Sequence, residues 1–391
     1  MRAFAGGFYH NLIRLYDYLG IEYHSQQFVY SFSRLGAGSS NKASKIAPYM
    51  VHASGFHRIP PVPRDLDVFV WLLEALFAIF FNFWFTFCVY YIAPYAESST
   101  SSSETLDHYL RRIHLPRYYI SNYLLPLMAS VCTCSHPELL DFPASDVLEY
   151  KRRTHGQAHY VVDSGVRHVQ DQLARGLNAE FGVCLTEVVP GPDGVALHYI
   201  DATRGERVDT FDLVVLAISP DVIATVFEPV RERLRRIPTT MVDTVAHRDL
   251  ATLPQLAGER GHASPGGQKI HFRSSKESTE AIHEQSDSSV IVTTNPLTPI
   301  KASHIVRSAR FTRVLRSPES RQIVNSIFTS RSDKRPSRTQ SGQSSSPWHN
   351  GDGGVYFAGG WCWDGMVLLE GCVVSAIRVA SELDIEIPWS P

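Results

Sequence analysis

Three kinds of hydrophobic pattern alternate along the chain. Short apolar and β-branched runs at Gln27–Ser33, Gly182–Val189, Val195–Ile200, Phe211–Ile218, Gln268–Phe272 and Val290–Pro296 have strand length, and Gly191-Pro-Asp-Gly194 supplies a turn between the second and third. Helical spacing takes over at Val166–Leu173, again from Pro220, and from Met366 to Leu383. The last of these follows an apolar run, Val355–Ala358, and the pair Gly359-Gly360, so the spacing predicts a buried strand ending near Ala358, a glycine turn, and a helix beginning around Gly365. The third kind is a single block: Ala75–Ala93 contains no charged residue, is bounded by Glu74 and Pro94, and is long enough to cross a bilayer.

That block admits three readings. It can span a membrane, or line the core or a substrate tunnel of one domain, or dock one face on a lipid surface. Its nine aromatics between Phe77 and Tyr91 favour docking beside an apolar substrate, since flat rigid rings suit such a wall and an ordinary span has no need of them. Two further stretches, Ser98–Ser103 and Thr329–Pro347, are too polar to bury and read as connectors.

Composition narrows the function classes. With 44% hydrophobic residues the 391-residue chain can build one large or two ordinary domains. Lysine and arginine total 37 against 39 acidic residues, leaving no field to recruit nucleic acid. Six scattered cysteines suit a reducing compartment, and no secretory signal is visible, so a membrane-associated or cytoplasmic location is expected. Cys132-Thr-Cys134 near His136 lacks a second ligand pair, and the 17 histidines are scattered without the helical i, i+4 pairing of a zinc site, so no metal site is expected.

The chemistry concentrates at the C-terminus. Gly359 and Gly360 lack a Cβ, which lets a phosphate approach the main chain, and a helix opening behind them offers orphan amides and the positive end of its dipole. Phe357-Ala-Gly-Gly-Trp-Cys362, Gly365 and Glu370-Gly371 resemble the flavin-contacting segment of the FAD-dependent amine oxidase and phytoene desaturase superfamily. Phe4–Gly20, Val162–Leu173 and Phe211–Ala217 resemble other segments of that family in the same order.

The resemblance implies an α/β flavoprotein fold with FAD as cofactor and an interleaved substrate domain. It implies that Gly359 and Gly360 meet the phosphates, that Asp364, Gly365, Met366 and Leu368 open the helix aimed at the flavin, that Glu370 and its glycine allow close helix packing, and that the Val188 backbone contacts adenine. The family's opening G-x-G-x-x-G unit is absent from these 391 residues. The nearest substitute, Gly36-Ala-Gly-Ser-Ser-Asn41, lacks the third glycine and reads as a loop.

On this basis 1–60 is the remainder of an N-terminal FAD-domain region, 61–150 a helical aromatic-rich region, 151–235 an FAD-domain helix and meander, 236–330 substrate-domain strands, 329–347 a loop, and 348–391 the FAD-contacting end. Two residues are candidates for catalysis. His247, in His247-Arg-Asp249, is placed either to move a proton or to make structural hydrogen bonds, and Lys269 is the one lysine in a context comparable to the lysine near flavin in amine oxidases. The expected activity is hydride removal from an amine or apolar lipid-like substrate. The alternatives are an inactive flavoprotein fragment and a membrane-associated protein without enzymatic activity; the sequence leaves oligomeric state open.

Overall fold

The computed structural model describes residues 3–35, 48–53, 67–95, 103–254, 268–284, 289–328 and 347–389. The Gly36–Asn41 turn and nearly all of the two polar connectors lie outside the described residues.

A seven-stranded sheet forms one layer. It contains β3 (Phe28–Arg34), β4 (Met50–Ala53), β10 (Thr239–His247), β11 (Gln268–Ser274), β12 (Thr279–Glu284), β13 (Ile291–Thr294) and β14 (Ile305–Val314), in the order β14-β10-β13-β12-β11-β3-β4. Only β3 and β11 run parallel, with Ser31 opposite His271. One face carries Phe32, Phe272 and Ala281 into a hydrophobic core shared with the helices.

Those helices are α1 (His10–Tyr18), α2 (Val68–Tyr91), α3 (Leu106–Arg112), α4 (Arg117–Tyr119), α5 (Leu125–Cys132), α6 (His136–Leu140) and α7 (Ala144–Thr154). A small antiparallel sheet, β1 (Phe4–Ala5), β5 (His159–Val162) and β2 (Tyr23–Ser25), closes over α1, and α8 (Gly165–Leu173) follows it.

A second core lies under the meander β6 (Val183–Gly191), β7 (Gly194–Asp201) and β8 (Gly205–Phe211) and the parallel pair β9 (Val214–Leu216) and β15 (Val355–Phe357). Helices α9 (Pro220–Val226), α10 (Arg231–Leu234) and α11 (Pro318–Phe328) cover it. The run expected as one strand from Phe211 to Ile218 is therefore broken. Phe211 ends β8, the chain turns at Asp212 and Leu213, and β9 restarts beside β15. The C-terminal α12 (Leu369–Glu382) packs on α1.

The apolar block becomes α2, which begins earlier than the charge-free run. Asp67 caps it by accepting from the amides of Phe69 and Val70, and the extended backbone of Ile92 ends it two residues before Pro94. Glu74 is accommodated because the Tyr118 and Tyr123 hydroxyls donate to it. The inner side holds Phe85, Cys88 and Val89 in the core, with Phe77 and Phe81 half-buried against it. Phe80, Phe83, Phe87, Tyr90 and Tyr91 are half or more exposed, so only the inner three of the nine aromatics can face a buried substrate.

The chain leaving α2 is clamped by one carboxylate. Buried Glu104 accepts from the Tyr95 amide, from Arg112 Nε and Nη2 at 2.9 and 2.8 Å, and faces His108 Nδ1 at 2.7 Å. Burial pushes its pKa up, yet these hydrogen bonds outweigh burial and hold it down to about 2. A depressed carboxylate stabilises the fold above its unfolded value, near 4.5, and loses that contribution as pH falls toward 2. In urea titrations Glu104→Gln should therefore be less stable than the parent at pH 7, with the gap closing between about pH 5 and 2. A pH-independent gap would refute the clamp.

Candidate functional site

Strand β15 delivers the predicted motif to a loop of eleven residues, 358–368. The strand ends at Phe357, as expected, but α12 starts at Leu369, four residues later than the spacing suggested. Gly365 has φ +140° and Leu368 is extended, so residues 364–368 lie in the loop and do not open the helix. The loop straddles both cores. Trp361 and Cys362 are buried in the one beneath the meander, while Met366 and Leu368 are buried in the one beneath the helices.

One buried guanidinium shapes this loop. Arg316 Nη2 donates to the carbonyls of Trp361, Trp363 and Gly365 at 3.2, 2.8 and 3.2 Å. Its Nε stands 3.8 Å from the Asp146 carboxylate on α7, which also pairs with Arg321 on α11. Burial pushes the Asp146 pKa up against the pull of the two arginines, and exposed Asp364 adds its charge beside the group.

Glu370 does more than permit close packing. Its carboxylate accepts from the amides of Asn11 and Leu12 and from Asn11 Nδ2, at 2.9, 3.1 and 2.7 Å, so the first turn of α12 supplies the anion that the N-terminus of α1 attracts. The glycines have equally internal reasons. A Cβ on Gly371 would intrude on the Trp363 indole and lie 2.7 Å from the Gly360 carbonyl, and one on Gly360 would lie 3.0 Å from the Leu368 carbonyl. The Gly359 amide donates to Ser375 Oγ at 2.8 Å.

The position suits a nucleotide all the same. The loop leaves the carboxyl end of β15 beside that of β9, and Trp361 Nε1 joins the two ends by donating to the Ile218 carbonyl at 3.1 Å. Ligands of open α/β sheets bind outside the carboxyl ends of parallel strands. Val188 lies in mid-strand on β6, opposite Leu197, with its side chain buried in the same core as Val355 and Phe357. On the other side, Met366, Val367 and Leu368 line a cavity of about 10 Å³ with Cys132, Phe142, Arg313 and Val314, room for one water.

His247 and Lys269 are not brought to this loop. They share the face of the large sheet opposite Phe32 and Phe272, on strands separated by two others, about 14 Å apart. His247 is fully buried, its Nδ1 accepting from the Asp249 amide at 3.2 Å and its Nε2 facing Thr293 Oγ1 at 2.8 Å. Burial lowers its pKa, which keeps the ring neutral. Asp249 turns to the amides of Ala251 and Lys301.

Lys269 lies opposite Glu284. The same face holds a row the sequence did not reveal: Ser31 Oγ meets His271 Nδ1 at 2.7 Å, and His271 Nε2 faces Glu284 at 3.2 Å. The β3–β11 and β11–β12 pairings together create it.

Residues 91–277 match the family model described as flavin containing amine oxidoreductase. No curated protein matches the chain in sequence. Among solved structures, a fatty acid isomerase from P. acnes that produces CLA superposes with a TM-score of 0.56 at 10% identity, covering 98% of this chain and 86% of that one. Cyclohexylamine oxidase from Brevibacterium oxydans gives 0.51 at 12% identity, with 98% and 87% coverage, and a redesigned triple mutant of putrescine oxidase gives 0.52 at 11%, with the same coverage. The fold is that of the FAD-dependent amine oxidases. The matched segment, 91–277, is similar in sequence to the flavin-containing amine oxidoreductases, a likeness that agrees with this fold.

The residues present fit this cofactor in part. The carboxyl ends of β9 and β15 and the loop at 358–368 offer a flavin its place in the topology. The amides best placed for a pyrophosphate are already engaged, at Gly359 by Ser375 and at α1 by Glu370.

Two variants separate packing from ligand contact. Glu370→Gln should cost about 2 kcal/mol in denaturant melts, since it weakens three hydrogen bonds to a buried carboxylate. Gly371→Ala should shift Trp363 fluorescence without any added flavin. Parental stability and emission in both would remove the internal roles assigned here.

Proposed function

We propose that the chain is an FAD-dependent oxidoreductase acting on the C–H bond of an amine or an apolar, lipid-like substrate, at a membrane surface. The observation that carries this is the glycine loop leaving the carboxyl end of β15, tied to β9 by Trp361. The flavin, when bound, supplies the hydride acceptor. The chain's residues hold its place: Arg316 fixes the carbonyls of the loop, Trp361 bridges the strand ends, and the buried ring of Phe8 and the partly buried ring of Trp363, 6.0 Å apart, exclude water beside it. Gly359, Gly360, Asp364, Gly365, Met366, Leu368 and Glu370 are the proposed cofactor-proximal set, with Val188 beneath the sheet.

His247 and Lys269 keep a narrower proposal. A neutral imidazole with both nitrogens engaged suits a structural hydrogen bond better than proton transfer. His247→Gln should then lower stability and leave the pH profile of turnover unchanged. A lost ionisation near neutral pH in that variant would restore it to catalysis.

A second reading has its own support. The amides engaged by Ser375 and Glu370 favour a protein that keeps the family fold without holding the cofactor tightly. Purified protein should show the flavin absorbance bands, or gain thermal stability on adding FAD. Gly360→Val should lower that occupancy. Colourless protein whose melting temperature FAD leaves unmoved would establish the cofactor-free reading.

A further inference from the structure

The outer side of α2 is an apolar surface with no partner among the described residues. Phe69, Leu76, Phe80, Phe83 and Phe87 are each at least half exposed, Phe80 at 63% and Phe83 at 68%. At 100° per residue they fall within about 60° of one another, a stripe running along a helix about 36 Å long. A stripe this continuous is not ordinary surface.

The fold also marks the stripe's two edges. Measured from Phe87, Trp84 lies about 60° to one side and Tyr90 about 60° to the other. Trp84 Nε1 donates to the carbonyl of Ile113 at 3.0 Å, and the Tyr90 hydroxyl donates to the carbonyl of Arg152 at 3.3 Å. Both carbonyls belong to basic segments. Arg111 to Arg117 contains three arginines and no acid, and Lys151 to His155 contains a lysine and two arginines and no acid. The acids that pair with them, Asp107, Glu104 and Glu149, are fewer and lie one or two turns earlier in the chain. Arg117 and Arg153 are exposed.

We propose that α2 lies flat on an anionic lipid bilayer, its aromatic stripe among the acyl chains and the two basic segments against headgroup charge on either side. The alternation of apolar centre and cationic margins is the complement of that interface. A spanning arrangement is opposed by the packing. Phe85, Cys88 and Val89 are buried on the inner side, the Tyr109 hydroxyl donates to the carbonyls of both Cys88 and Ile92 at 3.0 Å, and Glu74 is held by Tyr118. Lipid can reach one side of the helix only. The proposal is independent of the flavin chemistry.

Flotation of the full chain with vesicles tests it. Vesicles of phosphatidylcholine and phosphatidylserine, two to one, should carry the protein at low salt, and phosphatidylcholine alone should carry far less. Phe80→Asp with Phe83→Asp should abolish flotation with an unchanged thermal melt, since both rings are exposed. Arg117→Gln and Arg153→Gln should each weaken partitioning on the order of fivefold.

Three results would overturn it. Equal binding to both vesicle types, unmoved by the arginine variants, removes the charged margins. Trypsin cutting only one flank of α2 in sealed vesicles means the helix spans. Absence of flotation, with a lipid-free dimer that Phe80→Asp and Phe83→Asp disperse, makes a second copy the occupant.

Discussion

The buried contact between Arg316 and Asp146 is the constraint on which the two halves of this protein depend. A guanidinium with almost no solvent exposure must be compensated, and here three carbonyls of one loop accept from its Nη2 while its Nε faces the carboxylate of a distant helix at 3.8 Å, an ion pair beyond hydrogen-bond reach. Removing either partner leaves an uncompensated charge in the interior, which costs far more than the pair contributes. The ion cluster thus fixes α7, α11 and the C-terminal loop relative to one another, and with them the two hydrophobic cores that the loop joins. A loop with so many small residues would otherwise have many conformations.

Glu370 repeats this logic on a smaller scale. It occupies a helix N-terminus with a carboxylate from the chain's other end, doing for α1 what an external anion does elsewhere. The Gly359 amide, part of the turn expected to receive a phosphate, is likewise satisfied from within, by Ser375. That is why the family resemblance and the local hydrogen bonding point to different strengths of cofactor binding.

Much of the scaffold was legible because its signals are local. The Gly191–Gly194 hairpin, the strands at β3, β11 and β13, the end of β15 and the existence of α2 follow from apolar runs, turn residues and a cap. The errors came where distant residues decide. Strand β8, Gly-Glu-Arg-Val-Asp-Thr-Phe, is too polar to announce itself and exists because β7 pairs with it. The late start of α12 reflects the loop carbonyls drawn to Arg316, and the inaccessibility of His247 reflects Thr293 on a neighbouring strand. At the candidate site, residue identities were visible and their partners were not.

The parallel pairing of β3 with β11 has a consequence for how the chain acquires this structure. Phe28 to Arg34 leaves the ribosome long before its neighbour, which arrives only when residues 268 to 274 have been made. Until then this strand has β4 on one edge and an open row of amides and carbonyls on the other. Closing a loop of that length is slow, and the pairing carries the long sequence separations that retard folding. Synthesis therefore passes through a nascent state with an unpaired, aromatic-rich edge, the kind of surface on which chaperones act and from which aggregation starts.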